Sequence, residues 1–172
     1  MDRGLVTLAG TRSGATLLEE AAEHAVGANA DLVLLSSFTQ EEAEHDLEVL
    51  NRIDTSEHGR FGELMSTELA EEVGEQIAHN VLSAYDVEYT VVGAITDHRI
   101  GRRIIDEAER HDCDHVFLLS KPHSRIGDLG EAARRVVRHF DGFTTLGRER
   151  DPERHLARLR GDGRDYDVVI NY

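Results

Sequence analysis

The chain has 172 residues, enough for one domain with a sizeable core, and no apolar run approaches the ~18 residues of a membrane span. Its 34 acidic against 19 basic residues give a formal net charge of −15, which argues against a nucleic-acid face and leaves neither nucleic acid nor membrane among the expected partners. Lys121 is the only lysine, and Ser120 and Pro122 flank it, so neither a phosphate-binding P-loop nor a kinase strand lysine can be built.

The acids are spread over every segment instead of forming a block. This reads as halophilic adaptation to a high-salt cytoplasm, where salt screens the self-repulsion of an acidic surface. The single cysteine, Cys113, cannot make an intrachain disulfide. The opening MDRGLVTLAGTRSG enters a strand with an apolar run too short for a secretory signal, so the expected compartment is cytoplasmic.

In chain order, residues 5–8 (LVTL) form a first strand, and a helical stripe follows from about Ala15 with Leu17, Leu18, Ala21, Ala22 and Ala25 on one face. Gly27 is its expected stop, and residues 32–35 (LVLL) give a second strand, making a βαβ unit and therefore a parallel sheet. An acidic segment comes next, with a short helix suggested by Leu47, Val49, Leu50 and Ile53 and a loop over residues 58–62. A long helix runs from an expected N-cap at Ser66, with Leu69, Val73, Ile77 and Val81 four apart. Residues 86–94 read as the third strand, and Ile100, Ile104, Ile105 and Ala108 stripe the third long helix.

Residues 116–119 (VFLL) make the fourth strand. A loop with Gly127 and Gly130 then leads to a helix carrying Ala132, Ala133, Val136, Val137 and Phe140 on one face, ended by Gly142. Residues 143–146, Phe143 to Leu146 (FTTL), are the fifth strand. Five strands alternating with about four helices predict an α/β fold, an open, doubly wound five-stranded parallel sheet over residues 1–146. Residues 147–172 read as a charged tail with a short helix and an edge strand, or as a frayed extension.

A strand, a glycine loop and a helix start are where α/β proteins hold phosphates, because unpaired amides and the positive end of the helix dipole meet there. Here, however, the loop carries Asp128 and Glu131. Ser36, Ser37 and Ser120 fall at the carboxyl ends of strands two and four, where such sheets place ligands, or else they satisfy backbone groups. Gly10-Thr11-Arg12-Ser13-Gly14 lacks nucleophile-elbow spacing and suits a strand-to-helix turn, with Ser13 a cap. His111-Asp112-Cys113-Asp114-His115 offers metal-ligand residue types, but a structural zinc needs four ligands; the expected reading is a helix end entering a strand, with Cys113 buried and no metal. Arg99, Arg102 and Arg103 open one helix and Arg134, Arg135 and Arg138 lie on another. They are expected to pair with nearby Asp and Glu, the other reading being an anion or partner site.

With LVTLAGT, ADLVLLSSF, VEYTVVGA, ERHDCDHVFLLS and RRVVRHFDGFTTL in this order, residues 3–146 resemble the universal stress protein family. The resemblance implies a five-stranded parallel α/β fold and commonly a dimer through the last strand. Some members bind ATP or related nucleotides and others do not. The nucleotide-binding members resemble Gly-x-x-Gly, nine residues, then Gly-Ser or Gly-Thr. Gly127 and Gly130 match the first pair, while the last pair falls on Phe140-Asp141 or, in a compressed register, on Gly130-Glu131. Ala9 stands where those members have an aspartate that helps hold adenine.

The resemblance therefore implies a non-catalytic regulatory or protective protein that requires no cofactor and is not a conventional ATP binder. An unknown protein partner and a homodimer through residues 143–146, an uncharged β-branched edge, complete this reading. The alternative is a sensor binding AMP, ADP or ATP through Ala9, Gly10, Thr11, Ser37, Ser120, Arg125, Gly127, Gly130 and Glu131, with Arg125 and the amides near Gly127 as anion donors. An enzyme of the wider nucleotide α-hydrolase-like group lacks its Ser-Gly-Gly and His-x-Gly-His motifs here.

Overall fold

The computed structural model describes residues 1–39, 63–96, 99–120 and 130–148. The elements follow as β1 (Arg3–Thr7), α1 (Arg12–Ala28), β2 (Asp31–Thr39), α2 (Glu63–Leu82), β3 (Tyr89–Thr96), α3 (Ile100–Arg110), β4 (His115–Ser120), α4 (Gly130–His139) and β5 (Phe143–Arg148). The strands form one parallel sheet in the order β3-β2-β1-β4-β5, the expected architecture. The short helix around residues 47–53, the loop at 58–62 and the tail from 149 lie outside the described residues.

Alternation along the strands sends side chains to two separate cores. Val6, Leu32, Leu34, Val91 and Phe117 meet α1 and α2, through Leu17, Leu18, Ala21, Ile77 and Val81. Leu5, Val33, Leu35, Val116 and Leu118 meet α3 and α4, through Ile104, Ile105, Ala108, Ala133 and Val136. Because β1 and β4 are covered on both faces, they read in the sequence as continuous apolar runs instead of alternating ones.

Several element ends differ from expectation, each for a local reason. Helix α1 starts at Arg12, three residues before Ala15, because Thr11 is the N-cap: its Oγ1 accepts a hydrogen bond from the Gly14 amide at 3.1 Å. Ser13 is therefore inside the first turn and is not the cap. The helix also runs through Gly27 and ends at Asn29, whose left-handed backbone (φ 53°) lets its N–H return to Ala25 and Val26. Helix α2 is already formed at Glu63, so Ser66 lies within it. Strand β3 begins at Tyr89, and its eight-residue register with β2 carries both strands past the expected ends, to Thr96 and Thr39. Strand β5 continues through Gly147 and Arg148, beyond residue 146.

Two polar clusters tie the ends of elements together. Asp114, in the turn before β4, accepts hydrogen bonds from the amides of Asp2 (3.1 Å) and Arg3 (3.2 Å), fixing the start of β1. Desolvation opposes its ionisation, but these amide bonds and the amino terminus outweigh it and hold the carboxyl below the usual range. On α3 the fully buried Glu107 is clamped by Arg103 and Arg110, both at 2.8 Å. A carboxylate without exposure requires such partners.

Close approach of α2 to β3 requires the absence of a side chain at Gly93. A Cβ there would sit 2.2 Å from the Thr67 carbonyl oxygen and 2.8 Å from the Glu71 amide nitrogen, both backbone atoms that cannot swing aside. Gly93→Ala is therefore expected to destabilise the fold by about 2–3 kcal/mol through overpacking. Gly27 lies inside a helix, and a methyl group added there would meet nothing within 4 Å, so Gly27→Ala is expected to stabilise by about 0.5–1 kcal/mol. Urea unfolding of both variants checks the pair of opposite signs.

Candidate functional site

The sheet order reverses between β1 and β4, and the structure opens there. The two strands pair only over Gly4, Leu5 and Val6 against His115, Val116 and Phe117. Their neighbours stay paired farther, β1 with β2 to Thr7 and Leu35, and β4 with β5 to Ser120 and Arg148. Beyond Val6 the hydroxyl of Thr7 donates to the Phe117 carbonyl at 3.4 Å, a last bridge before the strands part. The resulting crevice at the carboxyl edge is where doubly wound sheets hold ligands.

Its first wall is the turn from β1 to α1. Leu8 donates its amide to the Leu35 carbonyl at 2.9 Å, Ala9 and Gly10 are half-buried, and Thr11 is buried as the cap of α1. The turn is jammed against the helix: a Cβ at Gly14 would fall 2.2 Å from the Ala9 carbonyl oxygen. Because the Thr11 hydroxyl already occupies the Gly14 amide, this helix start keeps one fewer donor for an anion.

Strand alternation sets which hydroxyls face the crevice. Ser36 is buried against Gly74 of α2, on the other face. Ser37 and Ser120 fall on the α3 and α4 side, following Val33 and Leu35 on β2 and Val116 and Leu118 on β4. Because β1 lies between β2 and β4, they stand on either side of the turn that carries Ala9. The structure thus places Ala9, Gly10, Thr11, Ser37 and Ser120 at the carboxyl edge of the sheet. Arg125 and Gly127 lie outside the described residues.

Gly130 opens α4 with φ 69°, the left-handed region that favours glycine, and Glu131 follows in the first turn, exposed. Phe140 and Asp141 come after α4, at the opposite edge of the sheet, where the Phe143 amide meets the Asp114 carbonyl at 3.0 Å. Of the two glycine registers, only the compressed one, ending at Gly130-Glu131, puts its final pair at the loop-to-helix turn. Arg148 was not among the expected site residues. It pairs in register with Ser120 and brings a cation to the same edge; its only sequence signal is its place two residues past the apolar run of β5.

Among the described residues, the crevice therefore presents hydroxyls and amides, with no carboxylate or imidazole at Thr7, Ala9, Gly10, Thr11, Ser37 or Ser120. It can donate and accept hydrogen bonds. Those six positions place no nucleophile beside a base.

No protein-family model and no curated protein matches the sequence. Solved structures do match. A universal stress protein in complex with cAMP aligns with a TM-score of 0.57 and 13% identity, over 86% of this chain and 96% of that chain. The universal stress protein from Archaeoglobus fulgidus in complex with dAMP aligns at 0.51 and 12%, over 86% and 97%. A member of that family from Burkholderia pseudomallei aligns at 0.56 and 14%, over 84% and 94%. The chain has the universal stress protein fold. At these identities the likeness is one of fold, and the sheet order and coverage of 84–86% of this chain carry it.

Within the universal stress protein fold, the segment His111 to His115 is the α3–β4 connection. Cys113 is 8% exposed, and burial pushes its thiol up to about 11, the behaviour of an inert packing residue. His115 points to the α1 side. Its Nε2 is hydrogen-bonded to Thr145 Oγ1 at 2.8 Å, its ring stacks on Phe117 at 4.4 Å, and Phe143 lies 6.0 Å away. His24 of α1 completes the group, with its ring 6.4 Å from that of His115.

Desolvation, then the proximity of His24 and the amino terminus, push His115 below the ordinary 6.5, against the pull of Asp114. The folded state therefore prefers neutral His115. Its contribution is complete above pH 6.5 and is lost as pH falls through that value towards the lower folded pKa. The melting temperature is expected to drop between about pH 7 and pH 5, and His115→Gln is expected to flatten that drop relative to the parent chain.

Proposed function

We propose that this protein is a non-catalytic regulatory or protective protein of the universal stress protein fold, working as a homodimer through protein contacts and leaving its nucleotide crevice unused. The observation that carries this reading is the composition of the crevice between β1 and β4. Two of the similar structures hold cAMP and dAMP, so the corresponding ligand here would be an adenine nucleotide, and the carboxyl edge is where doubly wound sheets hold ligands. Ala9 offers it no carboxylate, and Glu131 replaces the hydroxyl expected at the start of α4 with a negative charge. A carboxylate in the first turn also satisfies the helix dipole that would otherwise attract phosphate.

Titration of the purified protein with ATP, ADP and AMP in molar salt, with analysis of any copurified small molecule, tests this. No bound nucleotide and no saturable heat are expected. The double variant Ala9→Asp, Glu131→Ser is expected to gain binding in the micromolar range. A nucleotide carried through purification, or micromolar binding by the parent chain, would instead establish the sensor reading. That second reading draws on the left-handed turn at Gly130, where the chain enters α4, and on Arg148 beside Ser120.

The homodimer reading rests on β5. It is an edge strand with no partner on its outer side among the described residues, and Phe143 is 73% exposed. Ala132 and Arg135 of α4 pack on Gly101 of α3, so Val137, 49% exposed, lies on the flank of α4 away from α3, beside the open edge. An apolar flank and an unpaired edge on one side of the molecule suit strand-to-strand pairing of two copies. Light scattering should give twice the chain mass. Phe143→Asp should shift it to the monomer, and a monomeric parent chain would remove the proposal.

A further inference from the structure

Helices α3 and α4 lie side by side, and each carries arginines, but Arg135 and Arg138 of α4 differ from the paired arginines of α3. On α3, Arg102 meets Asp106 at 3.6 Å, while Arg103 and Arg110 both close on Glu107 at 2.8 Å. On α4, Arg135 and Arg138 form no ion pair with any described residue, although Glu131 lies four positions before Arg135 and Asp141 three after Arg138. Arg134, Arg135, Arg138 and His139 are all exposed. Together with Glu131 they line a shallow concavity of about 150 Å³ on the outward side of the helix.

The charge contrast is local and large. A chain of net charge −15 presents, over the ten residues of α4, three arginines against one acid. We propose that this outward face, centred on Arg135 and Arg138, docks a short acidic segment of a protein partner. Such a surface serves the partner-based function proposed above and rests on that reading.

The size and setting of the patch select the partner. Arg134 to His139 span less than two helical turns, about 8 Å along the axis. A duplex or long single strand of nucleic acid extends well beyond a patch of this length and would meet the field of a chain of net charge −15. A lone phosphate would find guanidinium groups only, without the converging backbone amides that make a closed anion site. Two or three carboxylates on a peptide match both the reach and the planar fork geometry of neighbouring arginines.

Fluorescence anisotropy of fluorescein-labelled hexaglutamate with the full chain tests the inference. Saturable binding is expected, and the charge reversal R135E/R138E should weaken it at least tenfold. R102E, which removes an arginine already paired on α3, should leave it within about twofold. Circular dichroism and the melting temperature of each variant establish that the fold is retained. Absence of saturable binding, equal binding by R135E/R138E, or tighter binding of an oligothymidine or of tripolyphosphate than of hexaglutamate would each overturn it. The outcome is separable from the crevice question: hexaglutamate binding by a protein that also carries nucleotide overturns only the silent-crevice reading, and a silent crevice without hexaglutamate binding overturns only the docking surface.

Discussion

The rest of the structure depends on burying β1 and β4 on both faces. Leu5, Val6, Val116 and Phe117 are all fully buried, which is possible only if helices cover the sheet from above and below. Parallel connections supply those helices, α1 and α2 to one core and α3 and α4 to the other. Once the chain has grown outward from β1 on one side and must return to build on the other, the order reverses beside β1. The crevice is thus a geometric consequence of covering the two central strands. It exists whether or not anything binds there.

That separation of shape from chemistry runs through the site. Gly14 is required by the contact of α1 with the Ala9 carbonyl, and Gly93 by the contact of α2 with β3; both preserve backbone paths. The side chains at the crevice mouth preserve much less. Ala9 is apolar, Ser37 and Ser120 stand on either side of β1, and the helix-start hydroxyl of Thr11 is spent on its own cap. A fold shared with other proteins at 12–14% identity fixes where a ligand would sit without fixing that one does.

Most of the sheet was legible because strands buried on both faces appear as unbroken apolar runs, LVTL, LVLL and VFLL, and helices between them show a 3.6-residue stripe. Element ends were less so. Thr11 and Ser13 are both residue types that cap helices, and the hydrogen bond from the Gly14 amide to Thr11 Oγ1 decides between them. Gly27 is a stop by residue type, yet the left-handed turn falls at Asn29, two residues before β2 begins at Asp31. The site was legible as a place but not as a register: spacing alone allowed Phe140-Asp141 or Gly130-Glu131, and three-dimensional position at opposite sheet edges separates them. Glu107 was illegible, since a buried carboxylate carries no hydrophobic signal and is recognised only through Arg103 and Arg110.

Arginine placement is the feature that the acidic composition makes informative. On α3, acids stand four residues after Arg102 and Arg103, the spacing at which side chains meet on a helix, and the structure closes both pairs. On α4, Arg138 stands four residues after Arg134 and three after Arg135, so the helix places like beside like. Such neighbours cost a few tenths of a kcal/mol each in an isolated helix, and a chain with fifteen surplus acids had ample means of avoiding them. The apolar positions of α4, Ala133 and Val136, already satisfy its packing on the sheet. Arg135 and Arg138 form no ion pair with any described residue, and the acidic partner proposed for this face would supply the carboxylates that α4 does not place beside them.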